Sequence, residues 1–174
     1  MRIEELMSDD VQYCSPNDTL EAAARLMWEN DCGCVPVCKS DGSPRVIGMI
    51  TDRDICMSAF FNGKPLSELR VSEAMSREVH VCRPADSPVA VERLMRDRQI
   101  RRVPVADESG ALLGLISLAD LARCVARQTL SSADISGAEL TTTLAAIVEQ
   151  PARAARATHE RKAKRQAKQA AARP

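Results

Sequence analysis

One short pattern of residues that could do chemistry occurs twice in the chain. Residues 48–54 and residues 114–120 share the form Gly-x-x-Thr/Ser-x-x-Asp. In each case an apolar run typical of a strand leads into an amphipathic run typical of a helix. A hydroxyl and a carboxylate at such a junction can bind a sugar diol, the helix start favours a phosphate, and the glycine permits close backbone approach.

The same spacing is also typical of a structural helix cap. Thr51 with Asp54, and Ser117 with Asp120, have the form of a capping box in which the acid is Asp. Capping signals are common, so a single copy would favour this structural interpretation. Because the pattern occurs twice, at matching positions of a repeat, we favour a binding site.

The repeat extends over most of the chain. Matches such as Met7-Ser8 with Met75-Ser76 and Val35-Pro36-Val37 with Val103-Pro104-Val105 are offset by 68, and the offset becomes 66 after the turn at Ser43-Pro44. We therefore divide the chain into two copies, 7–62 and 75–129, with a linker at 63–74 and a C-terminal segment at 130–174. Each copy is too short for a secure core, so the two should pack together.

Each copy predicts the order strand, helix, strand, strand, helix, which is an α+β fold. In copy one we expect a strand at 11–14, a helix capped by Asp18 with Glu21 as its partner, strands at 34–38 and 46–50, and a helix from Thr51. In copy two the first helix should begin at Ser87-Pro88, because proline is favoured in a first turn.

These features together resemble a tandem pair of CBS domains, also called a Bateman module and named for cystathionine β-synthase. The resemblance rests on Met-Ser before each copy, Pro-x-Asp before each first helix, the Val-Pro-Val strand and the Gly-x-x-Thr/Ser-x-x-Asp junction, and it covers residues 7 to 128. It implies a pseudo-twofold α+β unit that dimerises and regulates something else rather than catalysing. It also implies binding of AMP, ADP, ATP, S-adenosylmethionine or NAD in clefts between the repeats.

The resemblance also implies roles for particular residues. Asp54 and Asp120 match the acids that bind ribose, and Thr51 and Ser117 match hydroxyls that contact phosphate or ribose. The remaining expected contacts are the strand segments that flank the adenine and the basic residues that reach phosphate: Val35, Pro36, Val103, Pro104, Arg53, Arg101 and Arg102. Copy one has Gly33-Cys34 in place of Arg101-Arg102, so the two sites should differ. The alternative for the two arginines is a solvated strand edge.

Other candidate sites are weaker. Cys32, Cys34 and Cys38 could suggest a metal, but the spacing is not the usual Cys-x2-Cys and no histidine is near, so core packing is favoured. No arrangement of serine or cysteine with histidine suggests catalysis, and we expect no catalytic residue, metal or cofactor. Phe60-Phe61 could be core or an interface, and we favour an interface.

Charge is unevenly distributed although the formal net charge is zero. Residues 151–174 hold eight Lys/Arg and one acid, whereas the other residues hold 16 Lys/Arg and 23 acids. This basic tail could be a solvated helix or could contact nucleic acid or an acidic partner.

A further alternative for the whole protein is a ligand-independent scaffold. We expect no membrane contact and a cytoplasmic location, and the apolar stripe expected to dock before the tail is Leu140, Leu144, Ile147 and Val148.

Overall fold

The computed structural model of the chain describes residues 1–127 and 135–149. Within these ranges β1 and β2 form one two-stranded sheet and β3 and β4 form another, so the order helix, strand, strand, helix occurs twice. This confirms an α+β fold of two repeats. The elements are α1 (Leu20–Glu29), β1 (Cys34–Asp41), β2 (Ser43–Thr51), α2 (Asp52–Asn62), α3 (Val71–Ala74), α4 (Pro88–Arg98), β3 (Arg102–Ala106), β4 (Leu112–Ser117), α5 (Leu118–Ala126) and α6 (Gly137–Val148).

The first strand predicted for each copy is not formed as a strand. At 11–14 only Cys14 pairs, in a single parallel bridge to Val37, and in copy two Cys82 pairs in the same way with Val105. The Cys14 N–H donates to the Pro36 carbonyl at 3.1 Å. The N–H and C=O of one strand residue point to the same edge of the strand. Pro36 accepts from Cys14 at this edge but has no N–H to donate there, so the pairing is limited to one bridge.

Helix starts follow the sequence closely, with one error. Ser87 caps α4 with Pro88 in its first turn, and Thr51 caps α2, as predicted. Asp18, however, does not cap α1: the N-cap is Thr19, whose hydroxyl oxygen accepts from the Ala22 N–H at 3.1 Å. Asp18 instead accepts from the Ser15 N–H at 2.7 Å, so its carboxylate closes the turn that precedes the helix.

The chain divides into two compact units that do not follow the repeat boundaries. The unit that we call the α4–α5 unit consists of Met1–Tyr13, Cys38–Ile47 and the described part of Glu78–Glu149. The α1–α2 unit contains Cys14–Val37 and Gly48–Arg77. The N-terminal segment that precedes copy one therefore belongs to the unit that holds the helices of copy two.

The segments before the two copies make equivalent hydrogen bonds, each in the unit of the other copy. In the α4–α5 unit the Ile3 N–H donates to the Asp86 carbonyl at 3.1 Å, and Ser8 exchanges two bonds with Leu115 at 2.9 and 3.0 Å. In the α1–α2 unit the Val71 N–H donates to the Asp18 carbonyl at 2.9 Å, and Ser76 exchanges two bonds with Met49. Residues 63–74, expected as a linker, therefore carry part of a packed structure, in which Leu69 and Val71 are buried.

The core of the α4–α5 unit also includes α6. Ile3, Val91, Met95 and Ile116 are fully buried in one cluster, to which Leu140 of α6 also belongs. The predicted docking stripe is partly wrong: Leu140 and Ile147 pack inward, but Leu144 and Val148 are 48% and 63% exposed. The inner position between them is Thr143, which is fully buried and donates to the carboxylate of buried Glu92 on α4. Spacing of three and then four residues keeps 140, 143 and 147 on one helix face.

No helix among the described residues has both the length and the apolar character needed to cross a bilayer.

Candidate functional site

The junction of β2 and α2 in the α1–α2 unit brings the first predicted pair together. The Thr51 hydroxyl donates to Asp54 Oδ2 at 2.7 Å, and the Thr51 N–H donates to the same oxygen at 3.0 Å. The Asp54 N–H in turn donates to Thr51 Oγ1 at 3.2 Å. Asp54 is half-buried, and its Oδ1 atom makes no hydrogen bond with any described residue. One carboxylate oxygen thus caps the helix while the other can accept from a ligand.

The junction of β4 and α5 in the α4–α5 unit repeats this geometry. The Ser117 hydroxyl and N–H donate to Asp120 Oδ2 at 2.6 and 2.8 Å, and the Asp120 N–H donates to Ser117 Oγ at 3.2 Å. Here the second carboxylate oxygen, Oδ1, is in contact with the guanidinium of Arg123, one turn further along α5. The Asp120 side chain is only 12% exposed, whereas Arg123 is 60% exposed. The two junctions are therefore alike as caps but unlike in their charged neighbours.

The structural interpretation of the repeated motif is confirmed, because both pairs form capping boxes, and the binding interpretation must be compatible with those caps. The N–H groups at the helix starts are also largely occupied: Asp52 N–H donates to the Gly33 carbonyl at 3.2 Å and Leu118 N–H to the Arg101 carbonyl at 2.9 Å. The expectation that helix N–H groups bind phosphate is therefore weakened, and a phosphate here would depend on arginine side chains. These two bonds also hold Gly33 and Arg101, the residues just before β1 and β3, against the motif of the same unit.

The glycine of each motif serves a different purpose from the one expected. A Cβ atom at Gly114 would lie 2.6 Å from Met7 Sδ and 2.7 Å from the Ser8 carbonyl oxygen. A Cβ atom at Gly48 would lie 2.8 Å from Met75 Sδ and 2.9 Å from the Ser76 carbonyl oxygen. The close approach that glycine permits is therefore that of the Met-Ser segment, which explains why Met-Ser and Gly-x-x-Thr/Ser-x-x-Asp occur together in the repeat.

The Val-Pro-Val strands are buried beside these junctions. Val35, Pro36, Val103 and Pro104 are all buried. The carbonyl of Pro104 accepts from the N–H of Cys82 at 3.0 Å and from its thiol at 3.8 Å, and Pro36 has the same two contacts from Cys14. A carbonyl oxygen has two lone pairs, so the proline carbonyls are already used within the protein. A contact to adenine from these four residues stays a prediction.

The predicted arginines lie close to the motifs along the backbone. Arg102 is half-buried and stands directly opposite Ser117 in the β3–β4 ladder, whereas Arg101 is exposed just before β3. Arg53 is exposed in the first turn of α2, next to Asp54. The alternative of a solvated edge fits the exposure of Arg101 alone. Sequence reasoning missed Arg123, which the three-residue spacing from Asp120 on one helix could have indicated.

Two of the three clustered cysteines of copy one, Cys34 and Cys38, pack in the core as favoured, whereas Cys32 is only half-buried. Cys34 and Cys38 are 4% and 1% exposed, and burial raises the pKa of the Cys38 thiol from its ordinary value of 9.0 to about 11. Burial raises the pKa of the Cys82 thiol further, to about 12, with a smaller contribution from the nearby Asp86 carboxylate. Such thiols stay protonated, which is the wrong state for a metal ligand or a nucleophile. Within the described ranges no three His, Cys, Asp or Glu residues are grouped to hold a metal ion.

Comparison with known proteins identifies the family. The CBS domain family matches this chain twice, over residues 3–59 and 71–127. The CBS domain-containing protein YhcV of Bacillus subtilis is 36% identical over 120 residues, which cover 69% of this chain and 82% of that protein. The chain belongs to the CBS domain family, as its repeat and motifs predict.

Solved structures of CBS domain pairs share the fold. One is that of protein MJ0100 in complex with 5′-methylthioadenosine and S-adenosyl-L-methionine, with a TM-score of 0.65, 20% identity, and coverage of 74% of this chain and 98% of that one. Another is CBSX2 in complex with AMP, with a TM-score of 0.63, 20% identity, and the same coverage of the two chains. At these identities the likeness shows the fold.

Proposed function

We propose that this protein is a regulatory module that binds adenosine-containing ligands at its two strand-to-helix junctions and that it catalyses no reaction itself. The observation that carries the proposal is the repeated Thr51–Asp54 and Ser117–Asp120 geometry. In each pair one carboxylate oxygen is used by the cap, and the other is outside the cap: Asp54 Oδ1 can accept from a ribose diol, and Asp120 Oδ1 contacts the exposed Arg123. The ligands named for the two fold neighbours supply three of the six compounds to test.

Signalling requires that the ligand bind two states of the protein unequally. A readout through self-association is supported by the α1–α2 unit, where Trp28 is 87% and Phe60 75% exposed. Large apolar side chains left in water on neighbouring elements favour an interface. We propose a homodimer through this face, and we propose an unidentified regulated protein as the receiver of the signal. The basic tail at 151–174, which lies outside the described residues, is a candidate contact for nucleic acid or an acidic partner.

The test is a thermal-shift titration of the full chain, stripped of co-purified nucleotide, against AMP, ADP, ATP, NAD, 5′-methylthioadenosine and S-adenosylmethionine. A ligand that binds only the native state raises the melting temperature in a concentration-dependent way. The decisive variants are Asp54→Asn and Asp120→Asn, because asparagine keeps an oxygen that can accept the cap bonds but replaces the second acceptor with an N–H donor. We expect each variant to fold and to lose part of the shift. A chain that gives no shift with any of the six compounds would instead be a ligand-independent scaffold.

A further inference from the structure

The two junctions are equivalent by the repeat but opposite in their charged surroundings. The positions that differ lie at or just before the start of β1 or β3 and on or directly after α2 or α5, near the hydroxyl and acid that both copies have. Five pairs of equivalent residues differ, and each is given with the residue of copy one first: Gly33 and Arg101, Cys34 and Arg102, Asp52 and Leu118, Met57 and Arg123, Phe61 and Arg127. At each of these five positions copy one lacks a cation that copy two has, or has an anion that copy two lacks; Arg53, which is equivalent to Ala119, differs in the opposite direction.

In the α4–α5 unit the cations are held close to the motif. The Arg101 carbonyl accepts from the first N–H of α5, Arg102 stands opposite Ser117 in the ladder, and Arg123 contacts the Asp120 carboxylate. The backbone thus places Arg101 and Arg102 beside the motif, and the guanidinium of a third arginine, Arg123, contacts its carboxylate. Arginine binds phosphate with two parallel charge-assisted hydrogen bonds, so this site favours a phosphorylated ligand.

In the α1–α2 unit the balance is reversed. The Asp52 carboxylate lies 3.1 Å from the point where Gly33 would carry a Cβ atom, which is the position that Arg101 occupies in the other copy. Together with Asp54 it gives two carboxylates, against the single guanidinium of Arg53 in this turn. Further along α2, Met57 and Phe61 are 38% and 40% exposed at the positions that correspond to Arg123 and Arg127. This surface repels phosphate and suits an apolar or cationic group.

We propose that the two sites divide adenosine compounds by charge. The α4–α5 site takes a phosphorylated adenosine, and the α1–α2 site takes an adenosine whose 5′ substituent carries no phosphate and is apolar or positively charged, such as a thioether or a sulfonium. This inference rests on the proposed function, and it adds which chemical class each site accepts. The protein would then report two different compounds, with one residue set for each.

The experiment is calorimetric titration of the full chain with AMP and with S-adenosylmethionine, each alone and then in the presence of a saturating amount of the other. We expect one equivalent of each to bind independently, and we expect added salt to weaken both, because each site attracts its ligand through opposite charge. Arg101→Gln should weaken AMP binding by about tenfold, the usual effect of losing one charged hydrogen bond, and leave S-adenosylmethionine unchanged. Asp52→Asn should weaken S-adenosylmethionine binding and leave AMP unchanged or tighter.

Control variants distinguish the division of ligands by charge from adenosine binding itself. Arg98→Gln removes an exposed guanidinium from the end of α4 in the same unit and should alter neither affinity. If AMP and S-adenosylmethionine compete for one site, or if Arg101→Gln and Arg98→Gln bind AMP equally well, the division by charge is wrong although adenosine binding stands. If neither compound binds the stripped parent protein, the proposed function itself is wrong and the division by charge falls with it.

Discussion

Replacement of Gly114 by alanine tests the packing of the Met-Ser segment against the motif. The added Cβ atom would lie 2.6 Å from Met7 Sδ, a flexible group that can move, and 2.7 Å from the Ser8 carbonyl oxygen, which cannot. Relief of the second contact must lengthen or break the two bonds between Ser8 and Leu115, at 2.9 and 3.0 Å. Each such bond contributes about 1 kcal/mol, and overpacking costs a similar amount, so we expect Gly114→Ala to lose about 2–3 kcal/mol of unfolding free energy.

Urea unfolding followed by circular dichroism measures this loss directly. Gly137→Ala is the matched control, because a Cβ atom at Gly137, in the first turn of α6, meets nothing within 4 Å. Alanine there should be neutral or slightly stabilising, since it is the better helix former. Gly48→Ala, with contacts of 2.8 and 2.9 Å, should lose less than Gly114→Ala. Equal stability of Gly114→Ala and the parent protein would refute the claim that this glycine exists to admit the Met-Ser segment.

Three further outcomes are expected. Asp120→Ala should lose about 1 kcal/mol of unfolding free energy, because its helix cap is lost. Asp120→Asn should instead lose adenosine affinity with little change in the urea midpoint. Equal effects of the two variants on stability would contradict the capping role. Because folding raises the pKa of Cys82 from 9.0 to about 12, its stabilising contribution is full below pH 9 and falls as the pH rises towards 12. Iodoacetamide at pH 8 should therefore modify exposed Cys56 but not Cys82 in the native protein, as mass spectrometry of the alkylated peptides will show. Phe60→Asp should make the protein sediment as a monomer. The emission of Trp28, the only tryptophan, should then be that of a solvent-exposed side chain, as its 87% exposure implies. A parent protein that already sediments as a monomer would contradict the interface.

Much of the fold could be predicted from local pattern, because caps, proline positions and apolar periodicity act over a few residues. The starts of α2, α4 and α5 and the burial of Cys34–Cys38 follow from such signals. The capping role of Thr19 in place of Asp18 could not be decided, since both residues accept backbone hydrogen bonds and the choice depends on the preceding turn. The inward position of Thr143 depended on a buried carboxylate on a different helix.

The site could be located from sequence but not described. A repeated motif indicated which hydroxyls and acids lie together, and the structure brings both pairs to hydrogen-bonding distance. The same spacing indicated that both pairs could be caps, which the structure confirms, and the spacing of Arg123 from Asp120 could have indicated their contact. What the pattern could not show is that the first N–H groups of α2 and α5 are already bonded to the Gly33 and Arg101 carbonyls. These bonds join groups brought near by folding, and spacing along the chain does not encode them.

The crossed hydrogen bonds of Ile3 and Ser8 in one unit, and of Val71 and Ser76 in the other, make each copy depend on the segment that leads the other. A polypeptide with one copy and its own leading segment could not make these bonds to itself in the way seen here. It would satisfy them by exchanging leading segments with a second identical molecule, in the manner of a domain-swapped dimer. The present chain is the covalently joined equivalent of such an exchange. Because its two copies differ in sequence, each junction can carry its own charges, which two identical molecules cannot do.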